Sequence, residues 1–174
     1  MKQPDFKKLF QDLAGGRPQK INYKIRTDSN LFHDMIFLDS LIHDSRFKIG
    51  QIRHVGKKIT IPIERDCWEL SPEEHGNSLE LYITNSSLVI SPVYDVTWSI
   101  KETKTVVDNE ILWISSIWLS KKISKNDEDY RELEISGHNW SLTMVIREEF
   151  SIYLRDLQEP YLYSKNIIKN IHNF

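Results

Sequence analysis

The feature that most constrains the fold is an alternation of apolar and polar residues with period two. It recurs from about residue 47 to residue 154 and is clearest at residues 59–63 and 140–146. Because successive side chains of a strand point to opposite faces, this pattern predicts half-buried β-strands. Turn signals such as "HVGKK" and "SGHN" separate the strands, and no helical crossover long enough for parallel pairing fits between them. The pattern predicts a mainly β, antiparallel sandwich or barrel formed by a single domain over residues 1–174.

Helical periodicity is confined to the N-terminal part of the chain. Apolar residues 6, 9, 10 and 13 recur at helical spacing between Pro4 and a Gly15-Gly16 stop, and residues 31, 35, 38 and 42 form one stripe behind the cap residues of "TDSN". Residues 21, 23 and 25 alternate as in a strand between the two. We therefore expect one or two short N-terminal helices.

Four further segments have weaker patterns. "SPEEHGN", residues 71–77, combines an N-cap serine, proline and a terminating glycine, which predicts a single helical turn. "TNSS", residues 84–87, predicts a turn between two strands. Residues 150–154 fit a strand better than a helix, and the tail from Leu162 onward fits a short terminal helix or a frayed end.

Composition excludes several classes of function. The 174 residues carry a formal net charge of -2, so the chain has no overall attraction for nucleic acid or for anionic membranes, and neither partner is expected. Cys67 is the only cysteine, which excludes an intrachain disulfide and a cysteine-rich zinc site. Without a signal-peptide pattern or a long apolar run, the sequence predicts a cytoplasmic protein.

Two His-Asp pairs, His33-Asp34 and His43-Asp44, suggest a metal or catalytic centre, with Asp39 between them. Ten residues separate the pairs, so a helix points them in different directions and a strand spreads them over roughly 33 Å. We therefore predict no metal site here, and expect the pairs to serve a helix start and a turn. A convergent site completed by side chains from other elements stays open; the candidates are His54, His75 and Glu64.

The segment "LIHDSRFKIGQI" with the following "KKITIPIERD" resembles the opening of small bacterial β-rich proteins, most of them uncharacterised. These include immunity proteins of polymorphic toxin systems. The resemblance covers residues 42–64, and its matching positions are Ile42, His43, Asp44, Ser45, Arg46 and Phe47. It implies a non-enzymatic binding protein with a β architecture and brings no catalytic residues with it.

No known catalytic motif accompanies these residues. The chain has no G-x-S-x-G elbow and no Walker A or dinucleotide fingerprint, so no cofactor is expected. Cys67 in "ERDCWEL" lies within a predicted strand beside Trp68, where a buried, inert thiol is the common arrangement. We assign no catalytic residue and expect the chain not to be an enzyme.

The strongest functional signal is the aromatic stretch "EILWISSIWLS". Read as one continuous strand, it places Trp113 on one face and Trp118 on the other, with apolar residues on both. A strand of this kind is expected to be covered on both sides. The cover is a helix or loop of the same domain such as residues 6–13, a protein partner, or an apolar ligand inside a barrel.

These observations predict a non-catalytic protein-binding module of the immunity type. Its partner surface would be built from Trp113, Trp118, His43 and Asp44, and its partner would be another protein or a second copy of the chain. The alternative is a β-barrel that binds a small apolar ligand, or an enzyme acting on one, with a tryptophan lining the cavity and His43-Asp44 at its mouth.

Overall fold

The computed structural model describes residues 18–27, 30–70, 73–75, 78–100, 109–125 and 128–166. They contain one α-helix, α1 (Leu31–Ile42), and two 3-10 turns, Ile49–Gln51 and Trp68–Leu70. The strands are β1 (Asn22–Arg26), β2 (Arg46–Lys48), β3 (Arg53–Val55), β4 (Lys58–Asp66), β5 (Glu73–His75), β6 (Ser78–Ile100), β7 (Ile111–Trp113), β8 (Ser116–Leu119), β9 (Ile123–Lys125), β10 (Glu128–Ser136), β11 (Trp140–Asp156) and β12 (Tyr161–Asn166). The predicted mainly β architecture is confirmed, with one α-helix where one or two were expected; the possible helix at residues 6–13 lies outside the described residues.

The twelve described strands form one antiparallel sheet, in which seven follow the order β7-β2-β4-β6-β11-β10-β8. The other five pair beside this path: β1 with β11, β3 with β4, β5 and β12 with β6, and β9 with β10. Strands β7 and β8 stand at opposite ends of this order, yet they follow each other in the chain. Ile114 exchanges backbone hydrogen bonds with the Asp44-Ser45 segment, and Ser115 donates to the carbonyl of Ser136 at 2.8 Å. The segment 111–119 therefore links the two ends of this strand order and closes the sheet.

Apolar side chains from the inner face of the sheet form one core with α1. Met35, Leu38 and Ile42 of the predicted helical stripe are buried, and Trp140 packs edge-on against Phe47 with ring centroids 5.3 Å apart. The predicted alternation of β4 and β11 is confirmed, because the inner positions of both strands are at most 6% exposed; they are Ile59, Ile61, Ile63, Trp140, Leu142, Met144, Ile146, Phe150, Ile152 and Leu154. No helix among the described segments has the length and apolar character needed to cross a membrane.

Three sequence-based predictions of local structure are wrong. Residues 84–87 do not turn, because β6 runs unbroken through them for 23 residues. Residues 73–75 form β5 beside β6, where a helical turn was expected. Residues 161–166 form β12, also paired with β6, where a terminal helix or frayed end was expected. The turn predicted at residues 84–87 is wrong because Thr84 and Ser86 face the core, whereas polar residues of a turn face solvent.

The hairpin at "HVGKK" is confirmed. Strands β3 and β4 pair in the register Val55↔Lys58 around the two-residue turn Gly56-Lys57. Gly56 has φ +57°, a left-handed conformation that glycine adopts without the steric cost of a side chain. The hairpin thereby positions β4, which carries Glu64, Arg65 and Asp66 to the sites described below.

Candidate functional site

The acidic residues of "LFHDMIFLDSLIHDSRF" have separate structural partners. Asp34, in the first turn of α1, accepts a hydrogen bond from the Tyr23 hydroxyl of β1. Asp39 accepts the backbone N–H of Ile117 in β8 at 2.7 Å. The helix thus uses its carboxylates to hold two strands, and the structure does not bring them together as one site.

His43 and Asp44 form the junction between α1 and β2, as the change of period predicted. His43 Nδ1 lies 3.2 Å from Asp44 Oδ2, with about half of each side chain exposed. Asp44 has φ 62°, a conformation in which Asp is enriched among the non-glycine residues, and its N–H donates to the carbonyl of Ile114 at 2.9 Å. The pair therefore serves the turn, and Asp44 is bonded through its backbone to Ile114, the residue that follows Trp113.

Trp113 and Trp118 both face outward, which corrects the prediction that they occupy opposite faces. Ile114 and Ile117 are both buried although three residues apart, so Ser115-Ser116 interrupts the alternation between β7 and β8. Trp113 is 43% exposed and Trp118 is 47% exposed. Both side chains therefore remain partly exposed, and the helix expected to cover the strand, at residues 6–13, lies outside the described residues.

Trp113 lines an open pocket of about 630 Å³ on the outer face of the sheet, which we name the Trp113 pocket. Its lining residues come from β2, β4, β6, β7 and β12; they are Arg46, Glu64, Asp66, Leu81, Ile83, Ile111, Trp113, Tyr161 and Tyr163. Neither His43 nor Asp44 belongs to this lining. The pocket therefore unites Trp113 with residues that the sequence did not single out as one site.

Arg46 organises the charged side of the Trp113 pocket. Its guanidinium forms an ion pair with Glu64 and a second one with Asp66, whose Oδ1 lies 3.1 Å from Arg46 Nη1. The same guanidinium lies 5.2 Å from the ring centroid of Trp113, within range of a cation–π contact. Register explains the arrangement, because Arg46 is opposite Trp113 on one side and opposite Glu64 on the other.

Trp118 lines a second opening, a groove of about 500 Å³ between α1 and β8. Leu31, Phe32 and Met35 of the helix form its apolar wall, and Arg131 lies at its edge. Phe32 is 71% exposed, so this groove opens widely to solvent. The four residues predicted as one surface are thus divided between the His43-Asp44 turn and two separate concavities.

No local sequence pattern predicts the buried ionic cluster of Arg65, Glu69 and Asp156. Arg65 pairs with Glu69 at 2.7 Å and with Asp156 at 2.9 Å, and the Arg65 and Asp156 side chains have no exposure to solvent. Burial alone would lower the pKa of Arg65, but the neighbouring carboxylates raise it overall and keep the guanidinium charged. Asp156 also accepts bonds from Ser86 Oγ and the Ile21 N–H. Since each charge is paired, the cluster is structural.

The described residues offer little for metal or nucleophilic chemistry. Among them, no group of three or more His, Cys, Asp or Glu side chains is arranged to hold a metal ion. His54 and Glu64 are among these described residues, whereas the side chain of His75 is not. Cys67 is 1% exposed, and burial raises the pKa of its thiol to about 12, which leaves it protonated at neutral pH.

Comparison with known proteins returned no match to a family model, to a curated protein or to a solved structure.

Proposed function

We propose that the chain is a non-catalytic protein-binding module and that the Trp113 pocket lies at the centre of its binding surface. The observation that carries this proposal is the grouping of Trp113, Tyr161 and Tyr163, each more than 40% exposed, around one concave opening. Tyr and Trp are the residues most enriched at the energetic centres of protein interfaces, because their large rings bury much area and lose few rotamers.

The charged residues of the pocket support the same proposal. Arg46, Glu64 and Asp66 form a prearranged network beside the aromatic rings, and such a network gives orientation and specificity to a partner. Residues 42–64, which resemble bacterial immunity proteins, contribute both Arg46 and Glu64. An immunity role, in which the partner is a toxin, is the specific form that we propose. The proposal includes a cytoplasmic location, which suits a chain with one unpaired cysteine.

The alternative of a small apolar ligand is favoured by one feature, the Trp118 groove. Its volume of about 500 Å³ falls within the range of ligand sites, and its walls are largely apolar. Trp113 and Trp118 do not line the interior, however, where the inner faces of the strands pack into the core. A ligand in the Trp118 groove would bind at the surface, between α1 and β8, and His43-Asp44 would not form its mouth.

Co-expression with the products of adjacent genes tests the proposed function. Each product is also purified and titrated against the chain at up to ~10 μM, well above the dissociation constants of specific complexes. We expect one product to inhibit growth and bind, and the wild-type chain to restore growth. Trp113→Ala should weaken binding by at least about tenfold, as truncation of a central interface aromatic does.

Trp118→Ala is the matched control, because it removes an equally exposed indole from the other opening. Comparable loss in both variants, or a wild-type chain that binds no adjacent gene product, would overturn the proposal. Loss in the Trp118 variant alone would move the site to the α1–β8 groove.

A further inference from the structure

The Trp113 pocket has an excess of negative charge among its described lining residues. Glu64 and Asp66 contribute two carboxylates, and Arg46 contributes the one cation. Arg46 already pairs with both carboxylates, and about a third of the Glu64 side chain stays exposed to solvent. An anion that entered would meet a cation already engaged by two carboxylates. A cation would meet a favourable potential.

The walls of the pocket add a second preference for positive charge. Tyr161 and Tyr163 lie two residues apart on β12 and both line the pocket, with Trp113 of β7 as the third ring. Aromatic faces carry negative potential and attract ammonium and guanidinium groups, and several rings around one opening form the known arrangement for binding cations. The carboxylates and the aromatic rings of the pocket therefore both favour a positively charged group.

The floor of the pocket is apolar. Leu81 and Ile83 line it and are each 3% exposed, and they pair in register with Tyr163 and Tyr161. A floor of this kind suits the methylene stem of a long basic side chain, which packs on apolar surface while its charged head reaches polar groups. A wholly apolar guest would instead remove Glu64 from water without giving it a new partner, which costs free energy.

We propose that the Trp113 pocket receives an arginine side chain of the partner protein, with the guanidinium between the aromatic rings and Glu64. This inference rests on the proposed protein-binding function and names the chemistry of the partner residue. Arginine suits the site better than lysine, because its planar group both stacks on rings and binds a carboxylate through two N–H donors.

The test uses Nα-acetyl-arginine methylamide as the probe and its citrulline analogue, which has nearly the same shape and no charge, as the control. Binding to the full chain is followed by NMR at the indole N–H of Trp113, assigned by its loss in Trp113→Phe. We expect a saturable shift with the arginine probe, a weaker effect with the lysine analogue and none with citrulline. Equal shifts with arginine and citrulline would overturn the inference.

Variants of two pocket residues test which side chains bind the arginine probe, and a third variant outside the pocket is the control. Glu64→Gln should weaken binding of the arginine probe by about tenfold, the usual effect of losing a charge-assisted hydrogen bond. Tyr163→Ala should also weaken it while leaving the Arg46 ion pairs in place, and Trp118→Phe should leave it unchanged. Unchanged affinity in both pocket variants, with their folds intact by circular dichroism, would refute the arginine site.

Failure of this inference is distinguishable from failure of the proposed function. A partner whose binding depends on Trp113 but not on Glu64 or on the arginine probe would retain the function and refute the inference. A chain that binds the arginine probe as expected but no adjacent gene product would retain the cation site and refute the proposed function.

Discussion

Arg65 and Asp156 form an ion pair, 2.9 Å from Nη2 to Oδ2, in which neither side chain has any exposure to solvent. Strand β4 supplies the arginine and the end of β11 supplies the aspartate, with Ser86 of β6 between them as a third contact. Because β6 lies between β4 and β11 in the sheet, this cluster ties three neighbouring strands together across the core.

Asp156→Asn should destabilise the fold strongly. The substitution keeps the shape of the side chain but removes the charge that faces Arg65, and a buried ion pair that loses one partner costs about 3 to 5 kcal/mol. The midpoint of urea unfolding measures the change. Asp129→Asn, at the exposed Lys122–Asp129 pair, is the control and should leave the midpoint unchanged. Equal midpoints for wild type and Asp156→Asn would contradict a structural role for the cluster.

Asp39 should contribute less to stability as pH rises. Burial raises its pKa above the ordinary value of 3.8, while the hydrogen bond from Ile117 and the nearby His43 lower it in part. The folded state therefore holds the proton more tightly than the unfolded state, and the stability that this group contributes is lost as pH rises through the folded-state pKa. Asp39→Asn should be at least as stable as wild type at pH 7, with the advantage shrinking below the ordinary pKa.

Asp39→Ala separates the charge from the hydrogen bond. Asparagine still offers an oxygen to the Ile117 N–H, whereas alanine leaves that buried donor unpaired, at a cost of about 1 to 3 kcal/mol. Thermal unfolding at several pH values between 3 and 7 compares the three chains. If Asp39→Ala matches Asp39→Asn, the bond between α1 and β8 does not stabilise the fold.

Regular periodicity accounts for the parts of the fold that the sequence predicts well. Residues 31–42 keep the helical period, and residues 140–146 and 150–154 keep the period of two, so their buried faces follow directly from spacing. The turn predicted at residues 84–87 is wrong, because polar side chains are buried there inside a strand. Thr84 and Ser86 suggest a turn, but Ser86 bonds Asp156 inside the core, and the strand continues through them.

The site could be predicted only in part, because its members meet through pairings that span the chain. The aromatic stretch predicts a functional role for Trp113, but reading residues 111–119 as one continuous strand overlooks Ser115-Ser116, the polar pair at which the alternation breaks and Trp118 turns outward. Arg65 and Asp156 are 91 residues apart, and nothing in their local sequence marks them as partners. Long-range register, which is set by the whole sheet, decides all of these positions.

His33→Ala and His43→Ala should leave the metal content of the purified protein unchanged. Within the described part of the chain no cluster of potential ligands surrounds either residue, and His43 pairs only with the adjacent Asp44 among the ion pairs found. Elemental analysis by mass spectrometry measures the result. Stoichiometric zinc in the wild-type protein that either variant loses would show that a metal site exists.

Gly137→Ala should destabilise the closure of the sheet. A Cβ at this position would lie 2.6 Å from Cε2 of Trp140 and also against the carbonyl oxygen of Trp113, so a core indole or β7 would have to move. Overpacking of this kind costs about 1 to 3 kcal/mol. Gly56→Asn is the control, because that turn has open space around it and a conformation that asparagine tolerates. Equal unfolding midpoints for the two variants would contradict the close packing at Gly137.

Cys67 should report on the opening of the core. Its thiol is 1% exposed and its pKa is raised to about 12, chiefly by burial, so at pH 8 both access and the thiolate fraction are low. A disulfide reagent should modify the folded chain only as fast as the structure opens, and modification in denaturant should be complete within minutes. Asp156→Asn should raise the rate of modification, because Cys67 directly follows the strand that carries Arg65. Rapid modification of the native wild-type chain at pH 8 would contradict the burial of this thiol.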